Sequence, residues 1–223
     1  MLRRVKKART ARAVKRMSPD PVSEVFGLDR GNSVDRHYID GFFAANATRI
    51  RGRVLDIADD TYARRFGHGI EQVDVLYLTE GNPKATIVGD LQEAATLPAD
   101  SFDCILLPQT LQFIADPAAA LATCRRALKP GGAVLASIPG ISQISRYDED
   151  RWGDRWRFTE RGARELFERA FEDGDEVTAE AHGNAAAACA FLQGVSLEEM
   201  PRATLDARHR DYPLVVTVAA TRR

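Results

Sequence analysis

Short apolar segments that alternate with helical or polar stretches limit what this chain can fold into. Five of these segments have the length and composition of buried strands, and they cover residues 54–57, 73–78, 85–88, 102–107 and 133–138. Residues 117–128 carry Leu121, Cys124 and Leu128 at helical spacing. Residues 129–132 end that helix, because proline cannot continue it and glycine permits a left-handed turn. The alternation predicts an α/β fold built on a doubly wound parallel sheet.

The loop after the first predicted strand is acidic and contains no glycine. Asp56 lies near the end of the strand, and Ala58, Asp59 and Asp60 follow it. Loops that bind phosphates use backbone N–H groups, closely spaced glycines and basic neighbours. Carboxylates at this position repel a pyrophosphate, but they do not repel a ligand that carries an ammonium and a sulfonium. The loop therefore indicates S-adenosylmethionine as the cofactor.

Length, net charge and cysteine content indicate a single-domain protein of a reducing compartment. The chain has 223 residues and a formal net charge of −1, which fits one α/β domain and does not favour a nucleic-acid partner. Cys104, Cys124 and Cys189 lie in apolar contexts without metal-ligand spacing, and this predicts buried thiols in a reducing compartment. No apolar run approaches the roughly 20 residues that cross a bilayer, and no secretory h-region follows the first charges. We therefore expect a cytoplasmic protein without stable membrane insertion.

Residues 1–22 form a basic N-terminal segment with clustered lysines and arginines. Clustered cations can bind an anionic membrane surface or a nucleic acid through its phosphates. The apolar positions Leu2, Val5 and Val14 are too few to anchor an interfacial helix. We predict a solvated tail or helix, which Pro19 and Pro21 separate from the rest of the chain.

Several motifs together resemble those of class I methyltransferases, specifically the small-molecule type 11 branch. These motifs are Arg53-Val-Leu-Asp-Ile57, Asp90-Leu91, Leu97-Pro-Ala-Asp-Ser-Phe-Asp103, Leu128-Lys-Pro-Gly-Gly132 and Ile138-Pro139. Residues 26–31, 35–36, 140–147, 151–154 and 182–184 resemble a bacterial subgroup often found near glycosyltransferases, in which an acidic loop ending in Thr-Tyr replaces the glycine-rich one. The resemblance implies a Rossmann-like, mostly parallel seven-stranded sheet with helices on both faces. It also implies a single methyltransferase domain over residues 23–223, with a lid-like insertion at about 140–158.

The resemblance places the methionine end of the cofactor over the acidic loop. It implies that Asp56 lies near the methionine ammonium and that the backbone of Ala58 and Asp59 passes under the cofactor. Tyr62 stands where a glycine is common. Its ring either packs against the loop or closes the methionine end of the site.

The adenosine end is assigned to residues that follow the next strands. Glu80 can accept both ribose hydroxyls, with Asp74 as the alternative. The resemblance implies that Asp90 and the backbone N–H of Leu91 contact the adenine, although Asp90 could instead cap the turn that follows it. Gln109 is the residue expected at the cofactor's face after the fourth strand.

The acceptor side is assigned to the insertion after the fifth strand, since substrate loops belong at strand ends. Trp152 and Trp156 could form one aromatic wall there, while Arg146, Arg151 or Arg157 could bind a carboxylate or phosphate. The alternative is a salt-bridged lid whose tryptophans only cover the core.

Two side chains are candidates for deprotonating the acceptor. His182, expected after the sixth strand, has a pKa that is readily tuned near neutrality, although a lone histidine is often structural. Tyr147 is a comparable candidate, and Arg36 with Tyr38 could cover the cofactor from the N-terminal side.

The sequence thus predicts metal-independent methyl transfer from S-adenosylmethionine to a hydroxyl, amine or carboxylate of a small-molecule or sugar acceptor. The alternative is a non-catalytic relative with a decayed cofactor loop that binds or regulates a biosynthetic enzyme. A nicotinamide reductase is disfavoured, because Tyr147 is followed four residues later by Arg151 rather than by lysine.

Overall fold

Seven strands form one mixed sheet. The structure, a computed structural model, describes the backbone of residues 2–223 and the side chains of residues 7–223. The strands are β1 Gly52–Ile57, β2 Ile70–Tyr77, β3 Ile87–Val88, β4 Phe102–Pro108, β5 Leu128–Pro139, β6 Glu176–His182 and β7 Val215–Thr221. Their order is β3-β2-β1-β4-β5-β7-β6. Only β7 runs antiparallel to its neighbours, so the predicted Rossmann-like sheet is confirmed.

Within residues 2–223, eight α-helices connect or flank the strands. They are α1 Leu2–Val14, α2 Arg36–Ala45, α3 Thr61–Phe66, α4 Pro117–Ala127, α5 Arg146–Glu149, α6 Glu160–Ala170, α7 Ala185–Gln193 and α8 Arg202–Asp206. Short 3-10 helices cover Ala47–Arg49, Ala94–Thr96, Leu111–Phe113 and Leu197–Glu199.

Local sequence signals fix the ends of several helices. The Asp116 side chain accepts hydrogen bonds from the first backbone N–H groups of α4, and Pro117 occupies its first turn. Asn184 caps α7 in the same way. Gly194 ends α7 with φ +68°, a left-handed conformation that favours glycine.

Two apolar layers enclose the sheet. On one face α4 and α6 bury Leu121, Cys124 and Phe167 against the strands. On the other face α2 and α7 bury Phe43 and Phe191, together with side chains from α3 and α8. Helices therefore cover both faces, as the sequence predicts.

The strand order reverses between β1 and β4, which pair in parallel through Val54 and Cys104. Ligands of open α/β sheets bind beyond the carboxyl ends of the strands at such a reversal. The chain leaves β1 at Ile57 and β4 at Pro108. The residues that follow these two strands are the first place to look for a site.

Some predicted boundaries were wrong. β5 begins at Leu128, and residues 129–132 form an irregular part of that strand, with Gly131 at φ +83°. A Cβ at Gly132 would lie 2.9 Å from two backbone oxygens, so the close strand packing explains the second glycine. β3 is shorter than predicted, and His182 is the last residue of β6 rather than a residue after it. Cys104 and Cys124 are buried as predicted, whereas Cys189 is exposed on α7.

The N-terminal segment contributes the helix α1, and residues 7–22 are exposed. Met1 and the side chains of residues 2–6, which include the apolar positions Leu2 and Val5 of the sequence prediction, lie outside the described residues. The assignment of residues 23–223 to one domain stays a prediction.

Asp74 joins three elements from within β2, and its replacement provides a stability test. Its carboxylate accepts hydrogen bonds from Arg53 Nε at 2.7 Å, from Gln72 Nε2 at 3.0 Å and from Thr86 Oγ1 at 3.2 Å. We expect Asp74→Ala to lower the free energy of unfolding by about 2 kcal/mol, because it removes a buried carboxylate and the hydrogen bonds that it accepts from three side chains. Chemical denaturation measures this. Glu165→Ala, in an exposed pair with Arg169, is the control and should cost under about 0.5 kcal/mol; equal losses would contradict the assignment.

Candidate active site

The loop after β1 adopts a glycine-type backbone without a glycine. Ala58 has φ +66°, in the left-handed region. Its N–H donates to Leu76 O at 3.0 Å, and its carbonyl accepts from Asn82 Nδ2 at 2.7 Å. Bonds to β2 and to the turn after it therefore hold the loop in place. The backbone at Ala58 therefore keeps the left-handed conformation, although the residue is not glycine.

Asp56 supports this loop from below. Its side chain is buried, with a relative exposure of 1%. One carboxylate oxygen accepts from the N–H of Ile57 and the other from the N–H of Ala63, each at 2.9 Å. Burial raises the pKa of Asp56 to about 7, and the nearby Asp59 carboxylate acts in the same direction. The group therefore titrates near neutral pH.

The other two loop carboxylates have different surroundings. Asp59 accepts from the N–H of Thr61 at 2.8 Å and stays beside Asp56. Asp60 pairs with Arg64 and lies 3.4 Å from Lys84 Nζ, and the hydrogen bond from Arg64 lowers the pKa of Asp60. The loop therefore presents fewer free negative charges than its sequence suggests.

Tyr62 connects the loop to the N-terminal part of the fold. Its ring packs against Phe43, with ring centroids 4.7 Å apart. Its hydroxyl accepts a hydrogen bond of 2.5 Å from Arg36 Nη1, and burial raises the pKa of Tyr62. Arg36, at the start of α2, consequently lies beside the β1 loop. Tyr62 has a packing role here, and the structure brings Arg36 to the side of the site assigned to the methionine end.

The two carboxylates assigned to the adenosine end differ in their surroundings. Glu80 is exposed in the turn after β2. Asp90 accepts from the backbone N–H of Gln92 at 2.9 Å and also from the Gln92 side chain. It thus makes the capping contact that was the alternative to adenine recognition. Leu91 beside it is buried.

Gln109 follows β4 directly and has φ +48°. Its N–H donates to Ser137 O at 2.8 Å, which ties it to β5. Its side-chain oxygen lies 3.3 Å from the Gln112 Nε2 that donates to it, and its own Nε2 is buried without a partner. Gln109 thus combines a strained backbone with a buried, unpaired side-chain donor directly after β4.

A cavity of about 530 Å³ opens there, between the chain at 24–36, the ends of β4 and β5, and the insertion. Seven buried side-chain atoms of the described residues have no hydrogen-bond partner, and five belong to residues that line this cavity. The five atoms are Ser33 Oγ, Asp35 Oδ1, Gln109 Nε2, Gln112 Oε1 and Gln143 Oε1. Each unpaired buried group costs about 1 to 3 kcal/mol. The five residues line the cavity, but these particular atoms have almost no accessible surface and lie behind its wall.

The insertion between β5 and α6 docks across this cavity. Arg157 forms a forked pair with Asp154, with N–O distances of 2.5 and 2.7 Å. Trp156 donates from its indole to Ile114 O at 2.8 Å. The Arg155 N–H donates to Gln112 O at 2.8 Å. Internal pairs and bonds to the segment after β4 therefore hold the insertion closed, and Arg157 is already occupied by a carboxylate.

The two tryptophans have separate anchors. Trp152 packs edge-on against Tyr77 at the end of β2, with ring centroids 5.6 Å apart, whereas Trp156 is bound at Ile114. Arg146 and Tyr147 line the cavity at its exposed rim. Arg151 lies over the Tyr147 ring rather than over the cavity. Trp152 thus covers the region assigned to the ribose.

His182 and Tyr38 line a different cleft of about 610 Å³, between α2, β6 and β7. His182 Nε2 lies 2.8 Å from Thr217 Oγ1, and burial lowers the pKa of the imidazole. Tyr38 stacks on His182 and donates its hydroxyl to Leu205 O at 3.0 Å. The structure therefore does not bring these two candidates to the cavity that contains Gln109.

Sequence reasoning missed Asp35, Ser33, Gln112 and Gln143 as site residues. Ser33, Asp35 and Gln143 lie inside or beside the motifs that carry the resemblance. Nothing in the sequence indicates that these polar side chains have buried atoms. Their lack of partners arises only when distant segments meet. Tyr77 was missed because strand-end aromatics usually belong to a core.

Among residues 7–223, no group of three or more histidine, cysteine or carboxylate side chains could hold a metal ion. No helix in the part of the chain that the structure describes is long and apolar enough to cross a bilayer.

The sequence motifs agree with a match to one known protein family. Residues 51–136, less than half of the chain, match the family model described as a methyltransferase domain. An uncharacterized 37.1 kDa protein in transposon TN4556 of Streptomyces fradiae is 41% identical over 69 residues. That match spans 30% of this chain and only 19% of the other protein.

Solved structures share the fold at low sequence identity. The S-adenosylmethionine dependent methyltransferase from Mesorhizobium loti has a TM-score of 0.55 at 21% identity, with 87% of this chain and 100% of that chain covered. A SAM dependent methyltransferase from Archaeoglobus fulgidus has a TM-score of 0.50 at 15% identity, with 84% and 91% covered. Phosphoethanolamine N-methyltransferase 2 of Haemonchus contortus, in complex with S-adenosyl-L-methionine, has a TM-score of 0.52 at 17% identity, with 83% and 52% covered.

The backbone at Ala58 makes a prediction about the loop. A non-glycine residue in the left-handed region destabilises the folded state by roughly 1 to 2 kcal/mol. Replacing it with glycine removes this strain, but glycine also loses more chain entropy on folding, which cancels part of the gain in stability. Ala58→Gly should therefore raise the free energy of unfolding by up to about 1 kcal/mol in chemical denaturation. Ala122→Gly, on the exposed face of α4, should lower it by about 1 kcal/mol. A loss of stability in both variants would show that Ala58 is not strained.

Proposed function

We propose that this chain, with its methyltransferase domain over residues 51–136, transfers a methyl group from S-adenosylmethionine to a small molecule in the cavity beside Gln109. The observation that carries the proposal is the position of that cavity. It lies beyond the ends of β4 and β5, next to the strand reversal, where ligands of open α/β sheets bind. A methyl donor at the reversal and an acceptor in the cavity would be neighbours.

The residues around the β1 loop fit the methionine end of this cofactor. Asp59 offers a carboxylate to a cationic ammonium and sulfonium, and the buried Asp56 acts on them through its charge and not by contact, while Asp60 is neutralised by Arg64. Arg36 Nη1 is held by Tyr62, and its guanidinium has further donors for a carboxylate. Opposite charges are thus available for each charged group of the ligand.

The adenosine end of the cofactor fits the exposed surface at the end of β2. Glu80 is free to accept the ribose hydroxyls, and Trp152 on Tyr77 covers the same strand end. Asp90 and Leu91 are proposed to contact the adenine, with Asp90 also capping its own turn. We assign Trp152 to the cofactor side of the insertion, and Arg146 and Tyr147 to the acceptor side.

The cofactor supplies an electrophilic methyl group on a sulfonium. The chain's own contribution is to hold donor and acceptor collinear in a dry site, which is the largest gain available for an in-line displacement. The insertion docks against the segment after β4 beside the cavity, and Gln109, which lines the cavity, is tied to β5. No metal is required by these roles.

A non-catalytic relative that binds a biosynthetic enzyme is the second candidate. The absence of glycine at Ala58, Asp60 and Tyr62 favours it. The retained left-handed backbone at Ala58 favours catalysis, because the loop keeps the conformation that glycine would supply. The glycosyltransferase-linked subgroup, the cytoplasmic location and the absence of a nucleic-acid partner remain predictions.

Asp56 makes cofactor binding depend on pH. Its pKa of about 7 lies above the ordinary 3.8, so its contribution to stability is present at low pH and is lost as pH rises through about 7. A bound cation favours the ionised carboxylate. The dissociation constant of S-adenosylmethionine should therefore fall by up to about eightfold from pH 6 to 7.5, with proton release. Calorimetry in two buffers of different ionisation enthalpy measures both.

Asp56→Asn should abolish this pH dependence, since the amide does not titrate. A dissociation constant that stays constant between pH 6 and 7.5 in the unmodified protein would contradict the role of Asp56. No binding at millimolar cofactor by calorimetry, together with no thermal shift, would instead leave the non-catalytic candidate.

The insertion provides a matched pair of variants. Trp152→Ala removes the ring that covers Tyr77 and should weaken cofactor binding about tenfold, or 1.4 kcal/mol. Trp156→Phe keeps an aromatic ring but loses the bond to Ile114 O, and should leave cofactor affinity within about threefold. Calorimetry with S-adenosylhomocysteine distinguishes them. Unchanged affinity in Trp152→Ala would return this residue to the acceptor side.

A further inference from the structure

The turn at residues 23–30 exposes apolar side chains. Ser23 is buried, and its hydroxyl accepts a hydrogen bond from the N–H of Val25 at 3.2 Å. Phe26 has φ +60°, a left-handed conformation that is rare for an aromatic residue, and its ring packs on α7. Its neighbours Val25 and Leu28 are 50% and 60% exposed. A strained, hydrogen-bonded turn therefore holds two apolar side chains outside the core.

The insertion exposes two further apolar side chains beside the same cavity. Ile144 and Tyr147 are more than half exposed. A hydrogen bond of 3.5 Å from Gln143 Nε2 to Glu24 O joins the insertion to the turn, and three of the four exposed residues line the cavity that contains Gln109. We call the four residues the apolar rim: Val25, Leu28, Ile144 and Tyr147. Exposed apolar side chains that are grouped in one place mark an interaction surface, whereas scattered single ones do not.

The apolar rim has no excess of positive charge around it. Residues 24–30 and 144–151 contain three arginines and five carboxylates. Two of these arginines are paired, Arg30 with Glu199 and Arg146 with Asp150. Attraction of an anionic partner to this surface therefore has to come from another part of the chain.

The positive charge lies in the segment that precedes the turn. Eight of the 31 lysines and arginines, and none of the 32 aspartates and glutamates, lie in residues 1–17. The side chains from Lys7 to Met17 are exposed. Val14 is the one large apolar residue of positions 7–14, so this part of α1 has no apolar face that could enter a lipid layer. The segment can attract an anionic surface, but it cannot anchor the protein by itself.

The chain keeps this basic segment close to the apolar rim. The backbone N–H groups of Val22 and Ser23 both donate to Gln193 O, at 2.8 and 3.1 Å, and this fixes the start of the turn on α7. The six residues from Arg16 to Val22 span at most about 20 Å when fully extended. The basic segment and the rim can therefore contact the same surface.

An anionic lipid bilayer offers both kinds of contact. Its headgroups attract lysine and arginine, and its interfacial region accepts apolar side chains. Binding at this interface strengthens with the apolar area that is buried and with the electrostatic attraction. A nucleic acid would also bind the basic segment, but its phosphate backbone offers no apolar surface to the rim. The combination of the two features favours the bilayer.

We propose that the apolar rim and the basic segment at residues 1–17 together form a docking surface for an anionic bilayer. The protein binds reversibly at the level of the headgroups, which agrees with the expected lack of stable membrane insertion. In this orientation the mouth of the cavity that contains Gln109 faces the lipid. Docking requires no cofactor, so it can be tested independently of the function proposed above.

Co-sedimentation of the full chain with large unilamellar vesicles tests the docking. The vesicles consist of phosphatidylcholine alone or of an equal mixture with phosphatidylglycerol. We expect binding to the anionic vesicles that weakens at raised salt, and little binding to the neutral ones. Lys7→Gln, Arg9→Gln, Arg12→Gln, Lys15→Gln and Arg16→Gln, combined in one variant, should weaken binding at least about 100-fold, since each charge contributes roughly fivefold. No binding to anionic vesicles, or binding to duplex DNA alone, overturns the proposal.

Two matched double variants test the apolar rim. Val25→Ser with Leu28→Ser should weaken binding to anionic vesicles about tenfold and leave its salt dependence in place, because apolar contacts are lost and charges are kept. Val88→Ser with Leu78→Ser removes the same two residue types from β3 and the end of β2, where both are also exposed. This control should change binding less than about twofold. Equal losses in the two double variants overturn the role of the rim.

Added tryptophans test which side of the protein faces the lipid. Leu28→Trp and Val88→Trp each add one indole to the native Trp152 and Trp156. Phosphatidylcholine with brominated acyl chains, mixed into the anionic vesicles, quenches indoles that reach the acyl region. We expect additional quenching in Leu28→Trp and none in Val88→Trp. Additional quenching in Val88→Trp alone, or in neither variant while the vesicles bind, overturns the proposed orientation.

Discussion

The buried carboxyl of Asp56 is the contact on which the rest of the site depends. Its two oxygens accept the N–H groups of Ile57 and Ala63, so one side chain sets both the exit from β1 and the start of α3. The position of α3 in turn sets Tyr62, which holds Arg36 at the start of α2. A loop without glycines can keep a cofactor-binding course because this anchor and the bonds of Ala58 define it from both sides.

The same chain of contacts borders the cavity that we propose holds the acceptor. Arg36 is adjacent to Asp35, and both residues line this cavity. Gln109, strained at φ +48° and bound to β5, also lines it. The insertion docks beside it through backbone bonds to the segment after β4.

Much of the fold could be predicted from sequence because its signals are local. Val54 and Leu55 lie in a run apolar enough to be buried on both faces, and Pro117 after Asp116 marks a helix start whatever the tertiary structure. The course of residues 129–132 could not be predicted, since proline and two glycines suit a turn and a strand bulge equally well. The cavity was harder still. Asp35 and Gln143 are ordinary polar residues until distant segments bury them, and His182 had the right chemistry but sits at the far edge of the sheet.

A crystal structure of the chain with S-adenosylhomocysteine tests the central claim most directly. The account predicts the ligand across the ends of β1 and β4, with its amino acid end between the Asp56 loop and Arg36. Its ribose would lie near Glu80 and Trp152, and its sulfur would face the cavity bounded by Gln109 and Asp35. A ligand bound in the cleft beside His182, or with its amino acid end away from the Asp56 loop, would contradict the account.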